Sequence, residues 1–384
     1  MSGQKRSKGK VCVGLSGGVD SAVSAALLKQ QGFDVTGVFI RIAIGGYPCS
    51  AGEDALWAKR VAAHLDIPYR EVDLSKEYEA EVFRVSMAEF AKGKTPNPDA
   101  LCNREIKFGV FFDWCVAHGA DYVATGHYAQ TKDGALLMSA DTEKDQTYFL
   151  WAVPETKLCR TMFPVGHLLK TQVRALATKL GLPNAQRKDS QGLCFLGGIT
   201  LGDALARELT LTPGDVLDES GSVVGRHGGV YAYTIGQRHG FELFAAGPRT
   251  QPHYVAAKDP EFNSITVSTQ RTPATATEIT LTEQNWIGAH EDGPCAARVR
   301  HRGALIPAQL RGNVVVLEEP QYVAEGQSLV VYLPDGKAGR DNPLRQGFSE
   351  ASRCIGGGII EKVSWPSSSL NQTAGQNRSN RANL

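Results

Sequence analysis

Residues 11–32 read VCVGLSGGVDSAVSAALLKQQG, and this run limits the possible folds more than any other. A short apolar stretch, residues 11–15, enters a glycine turn at Ser16, Gly17 and Gly18. Small and apolar residues then alternate in a pattern read best as a helix. Strand, glycine loop and helix in that order let backbone N–H groups and a helix N-terminus receive a phosphate. No Lys follows the glycines, so this is not the GxxxxGK[ST] loop. An ordinary βα turn would share the glycines. Ser16, Asp20 and Ser21 around the glycine pair favour a phosphate-binding loop.

The next hundred residues repeat the alternation. Residues 34–42 (DVTGVFIRI), 69–74 (YREVDL) and 121–126 (DYVATG) read as strands. Ala58, Val61, Ala62 and Leu65 share one helical face, as do Phe108, Phe111, Phe112 and Cys115. The expected class is α/β: a parallel-sheet, Rossmann-like domain with both faces covered. Ligands on such sheets bind beyond the carboxyl ends of the strands, where Ser16, Gly17, Gly18, Ile40 and Gly126 fall. A further helix carries Val173, Leu176, Ala177 and Leu180 and stops at Gly181. After about Gly198 short strands alternate with Gly, Pro and Asp turns, including a hairpin over Ser220 and Gly221. The expected organisation is a basic arm (1–10), a catalytic domain (11–200), a central domain (201–278), a C-terminal β-barrel (279–365) and a disordered polar tail (366–384).

Composition limits the partners. The 384 residues suit two or three domains, and 42% apolar with 21% charged residues suits a globular protein. No apolar run approaches the ~20 residues that cross a bilayer. The basic N-terminus precedes too short an apolar run for a secretory leader, so the expected location is the cytoplasm. A net charge of +1 announces no nucleic acid, and any RNA contact must rest on local residues. Eight cysteines without a CxxC pair argue against structural zinc, and most should be buried free thiols.

Two cysteines lie in distinctive surroundings. In 93–109 (GKTPNPDALCNREIKFG) two prolines flank Asn97 and are expected to forbid a helix, with Cys102 just before a helix starting near Asn103. A cysteine at a helix N-terminus is favoured as thiolate, and Asp99 could act beside it as general acid or base. The same residues also suit a helix cap and a buried thiol. In 187–198 (RKDSQGLCFLGG) Cys194 sits in a glycine-flanked segment near Lys188 and Asp189, which equally suits a swinging cysteine or a plain turn.

SGGVDS resembles the pyrophosphate loop of ATP-pyrophosphatases, which split ATP between the α and β phosphates. GLSGGVDS, NPDALCNREIKF, ATGHYA, KDQTYFL, KDSQGLCF, YTIGQRHG and GGGII then follow in order across residues 14–360. Together they resemble the bacterial tRNA-specific 2-thiouridylases. The resemblance implies adenylation of the C2 oxygen of the wobble uridine in tRNA, followed by its replacement with persulfide sulfur. It implies Cys194 as persulfide carrier, Cys102 as partner nucleophile and a transient disulfide between them. Asp99 would be the general acid/base, and Asn97, Pro98 and Asp99 would hold the flipped base. Gly14, Leu15, Ser16, Gly17, Gly18, Val19, Asp20, Ser21, Ile40 and Gly126 would bind ATP, with Mg²⁺ on ligands the sequence does not name. The further partner would be a persulfide-donating sulfur carrier, and the default state is a monomer.

By the same resemblance His127, Lys144, Asp145, Gln146, Arg300, His301 and Gln327 would meet the tRNA. RVRHRG also reads as a strand whose alternation sends Arg298, Arg300 and Arg302 to one basic face. Two features depart from the family: a long stretch from Tyr332 to Cys354, and Arg300-His301-Arg302 in place of an Arg-aromatic-Arg run. Another ATP-pyrophosphatase acting as a ligase would leave both cysteines unexplained. A non-catalytic RNA-binding or sulfur-carrier protein would not need an intact loop.

Overall fold

The structure is a computed structural model that describes residues 7–47, 51–188, 201–209, 211–245, 251–269, 276–334 and 352–364. Cys194, most of the 332–354 stretch and the tail lie outside the described residues.

The N-terminal domain contains strands β1 (Lys10–Gly14), β2 (Asp34–Arg41), β3 (Tyr69–Asp73), β4 (Tyr122–Ala124), β5 (Gln130–Lys132), β6 (Ala135–Leu137) and β7 (Thr161–Met162). Five of these form a parallel sheet in the order β3-β2-β1-β4-β7. β1 is central, and alternation sends its side chains to two cores. Val11 and Val13 join Val23, Val61 and Val173 on one side. Cys12 joins Val38, Ile40, Cys102 and Phe111 on the other. Burial on both faces explains why β1 reads as a continuous apolar run. Helix α1 (Val19–Gln30) follows the glycine loop, and α2 (Ala51–His64) buries Ala51, Ala55, Ala58, Val61 and Ala62.

The central domain holds β8 (Gly214–Leu217), β9 (Val223–His227), β10 (Phe241–Leu243), β11 (Tyr254–Asp259) and β12 (Ser264–Ser268), ordered β10-β9-β8-β12-β11. The expected hairpin joins β8 to β9. The Asp218 carboxylate fixes its turn by accepting from the backbone N–H groups of Ser220 and Ser222, both at 2.9 Å.

The C-terminal domain is an antiparallel barrel of β13 (Ala276–Trp286), β14 (Gly293–Arg298), β15 (Ile306–Arg311), β16 (Val314–Gln321), β17 (Ser328–Leu333) and β18 (Arg353–Ser364). Its order β13-β16-β15-β14-β17-β18 closes through β13 and β18, which removes the free edges. The β5–β6 hairpin of the N-terminal domain adds to the barrel sheet, pairing Leu136 with Cys354 and Leu137 with Arg353. A mixed core of Phe108, Tyr148, Trp151, Ile287, Tyr332 and Cys354 fills that junction.

Two sequence expectations need correction. The helical face of Phe108, Phe111, Phe112 and Cys115 is broken at Gly109 (φ −93°, ψ −108°). Phe108 therefore faces the junction core, while the other three face the sheet. The strand carrying Arg298 ends there, and residues 299–302 turn, with Arg302 at φ +57°. The alternation that would align three arginines does not continue past Arg298.

Candidate active site

The loop after β1 is closed by its own hydroxyls. The Ser16 N–H donates to Ser21 Oγ at 3.3 Å, and the Ser21 hydroxyl donates to the Gly18 carbonyl at 3.1 Å. Gly18 caps α1 in an extended conformation without a side-chain cap, so N–H groups of the first turn face the loop. Gly17 has φ +78°, and a Cβ there would lie 2.6 Å from the Asp54 carbonyl oxygen. A Cβ on Gly126, beyond β4, would lie 2.6 Å from the Ser21 nitrogen. Both glycines let neighbouring backbone approach the loop. Of the expected strand-end residues, Gly126 packs directly against the first turn of α1. Leu15 and Val19 are buried supports, 1% and 4% exposed. Ile40 is buried in the core on the Cys102 side of the sheet.

Asp20 lies in the first turn of α1. Lys170 Nζ pairs with both its oxygens at 2.7 and 2.8 Å, and the Tyr128 hydroxyl donates to Oδ1 at 3.0 Å. Asn184 Nδ2 donates to the Gly17 carbonyl at 2.9 Å, and Arg187 pairs with Asp54 beside the loop. The cations missing from the loop itself thus arrive from distant residues. The sequence reading missed Lys170, Asn184 and Arg187. One signal was available: Lys170 opens its helix, where a cation is disfavoured unless it serves another partner.

The second element corrects the reading of the prolines. Helix starts at Pro98, with Asn97 as its cap accepting from the Ala100 N–H at 3.2 Å. A proline at the first helical position gives up an N–H that has no helical partner anyway. The helix runs on as a π-helical stretch, Cys102–Val110. Cys102 therefore lies a full turn inside the helix, 0% exposed, and Asp99 lies in the first turn. Asn97 Nδ2 donates to Ser328 Oγ of the barrel at 3.3 Å.

The two elements are linked by His127. Its Nδ1 contacts Thr125 Oγ1 at 2.8 Å, and its Nε2 faces Lys107 Nζ at 3.5 Å, on the helix that carries Cys102. Burial, and then the Lys107 charge, hold its pKa well below the usual histidine range. Because the Lys107 ammonium can only donate, a neutral ring that bonds it accepts at Nε2 and carries its proton on Nδ1, toward Thr125 Oγ1.

The residues expected to meet tRNA divide into two sets. Asp145 is 2% exposed and accepts from the Ser139 N–H at 2.8 Å, the Thr147 hydroxyl at 2.5 Å and Arg298 at 3.2 Å. It and Arg298 form a buried ion pair between domains, so neither faces solvent as a nucleic-acid contact would. The Gln146 side chain is engaged by the Tyr128 N–H at 2.9 Å. Gln327 Nε2 donates to the carbonyls of Thr95 at 2.9 Å and Pro96 at 3.3 Å. The His301 ring lies 4.4 Å from that of Phe149, and burial pushes its pKa down to about 4. Lys144 is partly exposed and Arg300 exposed. No group of three or more metal-ligating side chains occurs among the described residues. No helix among them is long and apolar enough to cross a membrane.

Three family models match in sequence: a tRNA methyl transferase HUP domain over residues 9–198, a tRNA methyl transferase PRC-barrel domain over 202–269, and an aminomethyltransferase beta-barrel domain over 276–360. The full-length relatives are named for thiolation. The tRNA-specific 2-thiouridylase MnmA of Nitrosomonas eutropha is 41% identical over 92% of this chain and 98% of its own length. That of Shouchella clausii is 39% identical over 94% and 98%, and that of Enterococcus faecalis 37% over 93% and 96%. A 4-thiouridine synthetase solved with RNA and ATP aligns over 53% of this chain and 50% of its own, at 17% identity and a TM-score of 0.33. Motifs, domain order and full-length similarity agree: the chain belongs to the tRNA-specific 2-thiouridylase family and is a tRNA sulfurtransferase.

Proposed function

We propose that the protein replaces the C2 oxygen of the wobble uridine in tRNA with sulfur in an ATP-dependent reaction. The uridine oxygen attacks the α phosphorus of ATP and pyrophosphate leaves. The C2 oxygen, otherwise a very poor leaving group, can then depart with AMP. The terminal sulfur of a Cys194 persulfide attacks C2. The Cys102 thiolate attacks the Cys194 sulfur, so a Cys102–Cys194 disulfide forms as the thiocarbonyl is released. A reductant returns both thiols, and a sulfur carrier reloads Cys194. Asp99 moves the protons, and Asn97 and Pro98 frame the base beside it. Residues 14–21 with Ile40 and Gly126 receive ATP, while Lys144, Gln146, Arg300, His301 and Gln327 border the RNA. The protein acts as a cytoplasmic monomer.

Mg²⁺ fits this donor set. It is commonly held by one or two carboxylates plus substrate phosphates, and Asp20 offers a carboxylate at the phosphate loop. The ion would supply neutralising charge to the phosphates. Lys170 already supplies one cation there.

One observation carries the reading. Gly126 abuts the phosphate loop, and the next residue, His127, reaches the helix that carries Cys102. Two successive residues thus join the phosphate loop to the helix that carries Cys102, which supports a reaction using both. The test is incubation with ATP, Mg²⁺, a persulfide donor and unmodified tRNA, with thiolated tRNA and AMP measured. Cys102→Ser and Cys194→Ser should each abolish thiolation. Full activity in either variant removes that cysteine from the mechanism. AMP release on small molecules without tRNA thiolation would point to a ligase instead.

A further inference from the structure

The segment that leads into Asn97, Pro98 and Asp99 is held by both other domains. From the barrel side, the Glu325 carbonyl accepts the Thr95 N–H at 2.9 Å, and Gln327 donates to the Thr95 and Pro96 carbonyls. From the central domain, Lys258 on β11 donates from Nζ to the Gly93 carbonyl at 3.0 Å and to the Tyr233 carbonyl at 2.7 Å. The hydroxyls of Thr95 and Thr234 meet at 3.4 Å. A Cβ on Gly93 would lie 3.3 Å from Pro260 of the same domain.

Lys258 is the unusual member of this set. It is partly buried and forms no ion pair among the described residues. Its two acceptors are neutral carbonyls, one on its own domain and one on the segment before Asn97. Burying an ammonium against carbonyls alone is unfavourable unless its position matters, because an apolar residue would avoid the desolvation. Hydrogen bonds from a charged donor are also stronger and more directional than neutral ones. The same burial pushes the Lys258 pKa down to about 8.

We propose that Lys258 is a positioning residue for thiolation: from the central domain it sets, through the Gly93 carbonyl, the segment that presents Asn97, Pro98 and Asp99 to the base. This rests on the assignment of residues 97–99 to the target uridine. It gives the central domain a part in the reaction that its fold alone does not suggest. Lys258 is not among the residues proposed to bind base or ATP and bonds only the Gly93 and Tyr233 carbonyls, so its removal should lower turnover and leave binding intact.

The experiment compares wild type, Lys258→Met and Lys258→Arg by steady-state thiolation and by native-state hydrogen exchange. Lys258→Met should lower kcat by about tenfold or more, with KM for tRNA changed by less than about twofold. Exchange at the Thr95 amide should quicken by about tenfold, while amides of β1 and β2 keep wild-type rates. Lys258→Arg, which keeps a charged donor, should recover most of both. Wild-type kcat in Lys258→Met overturns the proposal. So does quickened exchange spread over the whole central sheet without a selective effect at Thr95, which marks a purely structural lysine. If wild type thiolates no tRNA, the functional reading fails, and the exchange data still decide whether Lys258 holds the segment.

Discussion

Asp145 belongs to a motif expected to touch tRNA, yet the structure buries it, and the two roles separate cleanly by mutation. Its carboxylate has three donors, one of them the guanidinium of Arg298, and the side chains of the pair are 0% and 8% exposed. Asp145→Asn keeps the shape and leaves Arg298 without its counter-charge. Breaking one side of a buried pair costs about 3–5 kcal/mol. Arg298→Met should cost less, because burial already pushes the Asp145 pKa up and the carboxyl can take a proton. Arginine has no such escape. The double variant should recover part of the loss, with a coupling of about 1–3 kcal/mol. Urea unfolding gives the stabilities, and tRNA binding against salt concentration gives the contact count. The salt slope should stay at the wild-type value, since no phosphate contact is removed. The reasoning fails if Asp145→Asn unfolds at the wild-type midpoint, or if the cycle is additive within about 0.5 kcal/mol while tRNA affinity falls.

Gly126→Ala should weaken ATP binding by about tenfold or more, because the new methyl meets backbone atoms of Asp20 and Ser21 that cannot rotate away. Gly52→Ala, where nothing lies within 4 Å, should leave ATP affinity unchanged in the same calorimetric titration. Stability should rise with pH between about 4 and 6.5 and level off above, as followed by urea midpoints. His301 has its folded pKa lowered to about 4, so the unfolded chain binds more protons across that window. His301→Phe should flatten part of the slope, and an unchanged slope would free His301 from this role.

The parallel sheet was legible because its central strand is buried on both faces, which leaves an uninterrupted apolar run at 11–15. The phosphate loop was legible because its glycines and hydroxyls are contiguous. What the sequence hid came from afar. Lys170 and Arg187 approach the loop from far downstream, and apart from the unusual lysine at the start of its helix no local pattern marks them. Charged residues default to an exposed reading, and nothing local in the sequence tells that Asp145 and Arg298 are buried against each other. Pro98 reads as a helix breaker because that role is the commoner one. Its place directly after a capping Asn97 reverses the inference.

The hairpin that the first domain lends to the barrel has a consequence during synthesis. Leu136 and Leu137 are made early, whereas Arg353 and Cys354, their partners, emerge more than 200 residues later. At roughly 5–20 residues per second, β6 waits on the order of ten to forty seconds with one edge unpaired. The nascent N-terminal domain therefore has to tolerate an open strand edge on the ribosome. The last strand among the described residues, which also closes the barrel, is the element that finally covers it.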